Sequence, residues 1–189
     1  MDAPVSVDAA PKKFSILPGP GWMFAFGAVA SFAAVYVALV SQYQYGMQPC
    51  PWCVLQRIIY ITIAWICVAG VFWRKPEGRG LTGALVLVLS MCGAASALWQ
   101  HFVAASSASC NLTLADRIIQ GLRLDSMLPG VFEPRASCAD AAVSLLGVPY
   151  EFWSLALFAL LGLVAVVALR WAWANLKKKK EEPASAAAA

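Results

Sequence analysis

Four stretches of the chain are apolar almost without interruption, at about 22–42, 54–73, 81–103 and 152–173, and the polar residues gather between them. Crossing the hydrocarbon core of a bilayer takes about 20 residues at about 1.5 Å each, and every stretch is long enough. Each holds at most one strongly charged side chain, near an end: Arg57 in the second and Arg170 in the fourth. The pattern predicts an all-α fold, an integral membrane four-helix bundle. Lys12 and Lys13 precede the first stretch, as basic residues precede a signal peptide. That stretch exceeds the about 7–15 apolar residues of a signal h-region, and no convincing cleavage site follows, so it is read as a retained helix.

The remaining segments divide the chain into a Pro- and Ala-rich lead (1–21), a transmembrane domain (22–175) and a basic, low-complexity tail (176–189). Loops at 43–53 and 104–151 join the helices on one side, and a short loop at 74–80 joins them on the other. Within the long loop, Leu114, Ile118 and Leu122 recur at helical spacing with Asp116, Arg117, Gln120 and Arg123 between them. This predicts a short amphipathic helix, too short to span, lying on the membrane surface and capped by Thr113 with Asp116. Pro129–Gly130 then turns the chain back.

Composition agrees and adds orientation. Residues of hydrophobic type make up 61% of the chain and charged ones 13%, about half the charge that a soluble domain carries. Of 14 Lys and Arg, ten fall on one side: Lys12, Lys13, Arg74, Lys75, Arg79, Arg170 and Lys177 to Lys180. The positive-inside rule places both termini and the 74–80 loop in the cytoplasm, so that loops 43–53 and 104–151 face outward. Membrane lipid is the expected surrounding, and no nucleic-acid partner is expected.

Six cysteines carry the candidate chemistry. Cys67 and Cys92 lie inside apolar stretches and read as small packing residues. The other four all fall on the outward side, where disulfides persist. Cys50 and Cys53 form a Cys-Pro-Trp-Cys motif at the mouth of the second helix, and Cys110 and Cys138 lie far apart in the long loop. A Cys-x-x-Cys pair braces a fold poorly and is a common spacing for reversible dithiols. Two structural staples on a scaffold without turnover are the alternative. A four-cysteine zinc site fits the wide Cys110–Cys138 spacing badly, so no metal is expected.

Cys53 is placed immediately before the second helix, where unpaired N–H groups and the helix dipole favour a thiolate. Arg57 lies four residues further on, one turn deeper. A guanidinium at that depth needs a partner or a task, and here it would stabilise the thiolate and offer donors to a polar ring in the membrane. His101, the single histidine, lies near the outer end of the third helix at a similar depth.

Cys50-Pro-Trp-Cys53 followed by Val54-Leu55-Gln56-Arg57 resembles the disulfide bond formation protein B (DsbB) family. So do His101, the Cys110 and Cys138 pair, and Gly147-Val148-Pro149 leading into the fourth helix; the resemblance covers roughly residues 20–175. It implies an oxidase of the bacterial inner membrane, its active cysteines facing the periplasm, that reoxidises a DsbA-like thioredoxin-fold partner and passes electrons to ubiquinone or menaquinone. It further implies that Cys110 receives the partner's thiol with Cys138 as its mate, that Cys50 and Cys53 accept the electrons, and that Cys53, Arg57 and His101 adjoin the quinone. Vitamin K epoxide reductase-like proteins also carry Cys-x-x-Cys in a four-helix bundle, but their quinone-proximal motif lies late in the chain.

Overall fold

The computed structural model describes residues 20–105 and 113–186. Its long helices are α1 (Pro20–Tyr45), α2 (Pro51–Phe72), α3 (Pro76–Trp99) and a last helix at Tyr150–Ala186. All four are long and apolar enough to cross a membrane. α3 runs into a π-helical turn at Gln100–Ala104. Three short helices follow, α4 (Leu114–Gly121), α5 (Leu124–Met127) and α6 (Pro129–Phe132). A two-stranded hairpin, β1 (Ser144–Leu145) with β2 (Val148–Pro149), then leads into α7 (Tyr150–Ala186).

The burial pattern is that of a membrane bundle. Val29, Trp65 and Leu163 are more than 60% exposed, while Gln42, Gln56, Arg57 and Gln100 are buried. In lipid the outward face must be apolar, and polar groups survive where they find partners inside. α3 packs along α7, α1 along α2, and α2 against α3. At the centre Tyr60 stacks on Phe158 with ring centroids 4.2 Å apart and planes 1° from parallel. Gly93 makes room for this stack, because a Cβ there would overlap the Phe158 ring. Gly93→Val should therefore lower stability by about 1–3 kcal/mol through overpacking; an unchanged thermal midpoint in detergent would contradict this packing.

Helix ends differ from the hydropathy boundaries for identifiable reasons. α2 begins at Pro51, with Cys50 as its N-cap, because proline lacks the N–H that a first turn leaves unpaired. Cys53 thus lies within the first turn and not before the helix. α7 continues through the basic tail to Ala186, and Lys179 pairs with Glu77 at the start of α3 (2.9 Å). α4 has the expected capping box between Thr113 and Asp116. Its buried face is Ala115, set among Cys50, Trp52 and Cys138, and Ile119, set against Val54 and Phe132. Leu114 and Leu122 point away from the bundle and are exposed, which leaves that stripe free for a membrane surface.

Candidate functional site

The N-terminus of α2 gathers sulfur atoms. Cys50, fully buried, accepts a hydrogen bond from the Cys53 N–H at 3.3 Å, and its Sγ lies 2.8 Å from Cys53 Sγ. Cys138 arrives from the long loop. The Arg135 and Ala136 N–H groups donate to the Pro49 carbonyl at 2.9 and 3.3 Å, and this clamp sets Cys138 against Cys50 in a small cluster with Trp52, Ala104 and Ala115. Cys138 Sγ also accepts from the Trp52 N–H. Two free amides of the first helical turn are thereby spent on sulfur, the arrangement that suits a thiolate.

Hydrogen bonding between the two loop sulfurs divides their acidity. It pushes Cys50 up, an effect reinforced by Cys53 and by burial. The same contact holds Cys138 below the ordinary thiol range, aided by the Trp52 N–H. Of this pair, Cys138 is the one to ionise first. All three cysteines are free thiols here. Cys110 lies outside the described residues. Cys67 is buried beside Gly27, and Cys92 is exposed on the bundle surface.

Cys53 opens on the other side into a cavity of about 390 Å³, walled by α1, α2 and α7, with the segment around the hairpin over it. Arg57 lines this cavity and is 5% exposed. Its Nη1 donates to Gln42 Oε1 (2.8 Å) and to the Val131 carbonyl (3.0 Å), and its Nη2 donates to the Ala38 carbonyl (3.4 Å). The guanidinium has five N–H donors, so Nε–H and one Nη2 hydrogen have no acceptor among the described residues. Arg57 is therefore an interior group and does not snorkel towards headgroups.

His101 sits on the π-helical turn, half-buried between Phe102 and Phe152, with Nδ1 3.8 Å from Glu151 Oε1. It is not among the residues lining the cavity, whereas its neighbours Gln100 and Glu151 are. Glu151 is 5% exposed and its Oε2 has no hydrogen-bond partner among the described residues. Gln100 Nε2 donates to Cys53 Sγ at 3.3 Å. Gln42, Gln100 and Glu151 escaped the sequence reading. The signal that could have found Gln42 and Gln100 is the cost of a polar side chain in an apolar stretch, and for Glu151 that of a carboxylate at the mouth of one. Among the described residues, no group of three or more His, Cys, Asp or Glu side chains could hold a metal ion.

A four-helix membrane bundle with Cys-x-x-Cys at a helix N-terminus, a third cysteine against it and a polar-edged cavity behind defines a membrane thiol–disulfide oxidoreductase. The family described as disulfide bond formation protein DsbB matches residues 20–168, and the chain belongs to it. Disulfide bond formation protein B of Neisseria gonorrhoeae is 34% identical over 163 residues, covering 82% of this chain and 94% of the relative. Disulfide bond formation protein B 1 of Pseudomonas aeruginosa is 32% identical over 159 residues, covering 82% and 98%. The Ralstonia nicotianae relative, disulfide bond formation protein B, is 34% identical over 150 residues, covering 75% and 89%.

Proposed function

We propose that the chain is a protein-dithiol:quinone oxidoreductase of the bacterial inner membrane, reoxidising a DsbA-like thioredoxin-fold protein on the periplasmic side. The observation that carries this reading is the position of Cys53, within reach of Cys50 and Cys138 on one side and open to the Arg57 cavity on the other. The cavity suits a quinone ring: its walls are largely apolar, and among the described residues Arg57 has unused donors and the buried Glu151 Oε2 has no partner. Arg57 would hold a ring oxygen, with Glu151 at the cavity edge and His101 behind it. A bound quinone would supply an acceptor for two electrons and two protons.

The cysteines move the electrons by exchange. The partner's thiolate attacks Cys110 of a Cys110–Cys138 disulfide and releases Cys138 as a thiolate. Cys138 attacks Cys50 of the Cys50–Cys53 disulfide and releases Cys53 as a thiolate facing the cavity. The partner's second cysteine then breaks its bond to Cys110 and leaves oxidised. Cys110 attacks Cys138, restores the loop disulfide and frees Cys50. The Cys50–Cys53 dithiol closes again to a disulfide, giving up two electrons and two protons.

Anaerobic mixing of reduced partner with quinone-loaded protein should bleach the quinone absorbance, with one partner disulfide formed per quinone reduced. Partner oxidation without bleaching would reject the quinone as acceptor. The proposed orientation has its own check. After reduction in spheroplasts, an impermeant thiol reagent should label the cysteines of the long loop, but not cysteines inserted at 74–80. External labelling at 74–80 would invert the topology.

A further inference from the structure

Side chains from three helical segments form one hydrogen-bond chain ending on Cys53. The Tyr60 hydroxyl on α2 donates to the Ser154 carbonyl on α7 at 3.0 Å and lies 2.9 Å from Ser154 Oγ. Ser154 Oγ donates to Gln56 Oε1 at 2.6 Å. Gln56 Nε2 donates to Gln100 Oε1 at 2.9 Å, and Gln100 Nε2 donates to Cys53 Sγ at 3.3 Å. Both amides are buried, Gln56 at 6% and Gln100 at 3% exposure.

An amide donates only from nitrogen and accepts at oxygen, so the direction of one link sets the direction of the next. With Ser154 donating, Gln56 turns its nitrogen to Gln100, and Gln100 must turn its own nitrogen to sulfur. The reverse polarity would set the Gln100 carbonyl against Cys53, where only a protonated thiol could satisfy it. The observed polarity therefore favours the ionised sulfur, in a site where low polarity strengthens a hydrogen bond to charge. Gln100 closes α3, its N–H bonded to the Ser96 and Ala97 carbonyls, at the point where the π-helical turn opens; such turns often mark functional positions.

The exchange sequence makes this donor matter at one moment. When Cys53 is released, Cys50 is bonded to Cys138 and has no S–H to offer. Arg57, although two of its N–H groups have no acceptor among the described residues, makes its hydrogen bonds to Gln42, Val131 and Ala38 and none to the sulfur. The Gln100 amide is then the remaining side-chain N–H donor to the sulfur among the described residues. We propose that Gln100 is a catalytic residue that holds the released Cys53 as a thiolate, and that Gln56 and Ser154 are positioning residues that fix the direction of its amide. This role rests on the proposed reading of Cys53 as the outgoing electron donor.

The test uses the full-length, quinone-free protein in detergent with Cys50→Ala, which removes the competing S–H as exchange would. The readout is the rate of iodoacetamide alkylation at Cys53 at pH 7, located by tandem mass mapping. Adding Gln100→Met keeps volume, adds no charge and removes the donor. Alkylation should slow about fivefold, allowing for the greater intrinsic reactivity of a more basic thiolate. Ser154→Ala, which leaves Gln100 in place but frees the chain's direction, should slow it about twofold. A Gln100→Met rate equal to the parent's overturns the proposal; if that variant is misfolded on size exclusion, an unchanged Ser154→Ala rate does so. Neither partner nor quinone enters this assay. Slowed alkylation together with no quinone bleaching would reject the electron route and keep Gln100 only as the group that holds the Cys53 thiolate.

Discussion

Replacing Cys138 with Ala should turn the protein into a trap for its partner. Mixed with the oxidised thioredoxin-fold protein, the Cys138→Ala chain should accumulate a mixed disulfide through Cys110, and turnover with the reduced partner should fall to background. The trap forms because the Cys110 thiolate, left without a mate, opens the partner's disulfide, while the Cys138 sulfur that would displace the partner and carry electrons to Cys50 is gone. Cys53→Ala should behave differently: Cys138 remains, the partner still exchanges at Cys110, and electrons stop before the acceptor. Non-reducing gels with mass mapping separate the two, and capture of the partner at Cys50 or Cys53 would reverse the proposed order. The same geometry sets a pH dependence for the reduced protein, in which Cys50 keeps its S–H. Its bond with Cys50 holds Cys138 below the ordinary thiol range, so the thiolate persists to lower pH than in a free cysteine. Iodoacetamide alkylation of Cys138 in the fully reduced protein, located by mass mapping, should keep its rate through neutral pH and slow only as pH falls through that lowered value. A rate that slowed already at the ordinary thiol range would place Cys138 away from Cys50.

Much of this site is written in local pattern, and the part that is not depends on distant residues. Four apolar stretches announce the helices because a bilayer demands length and hydrophobicity together. Hydropathy does not report where a helix stops once it leaves the apolar region, so α7 runs past Trp173 into a Lys- and Glu-rich segment of good helix formers. The Thr113–Asp116 box is local and was legible. The start of α2 was also within reach, since Pro51 after a cysteine able to act as cap is a first-turn signature. The clamp from Arg135 and Ala136 to Pro49 joins residues far apart in sequence, and no spacing rule encodes it. The single histidine drew attention to the end of the third helix, yet its neighbour Gln100 reaches Cys53. The π-helical turn that opens at Gln100 leaves no mark in hydrophobic periodicity.

Arg57→Lys should raise the quinone KM by about tenfold or more, because an ammonium keeps the charge but loses the planar fork of donors. The structure adds a second consequence. Arg57 Nη1 is shared between Gln42 on α1 and the Val131 carbonyl of α6. Gln42 Nε2 and the Tyr43 hydroxyl both donate to the adjacent Gly130 carbonyl, at 3.3 and 2.8 Å. The guanidinium thus faces the cavity and also pins the segment that runs on to Cys138. A single ammonium on a flexible stem cannot reproduce both bonds and serve a ring oxygen as well, so the 129–132 turn should loosen. Hydrogen exchange at Val131 and Phe132 should accelerate in Arg57→Lys, while a Tyr43→Phe control should loosen the same turn and leave the quinone KM unchanged. Faster exchange with an unaltered KM would make Arg57 a brace for the loop and remove it from the acceptor site. An unaltered KM with unaltered exchange would reject both roles. A raised KM in Arg57→Lys but not in Tyr43→Phe assigns the effect to the guanidinium at the cavity, since both substitutions weaken the attachment of α6.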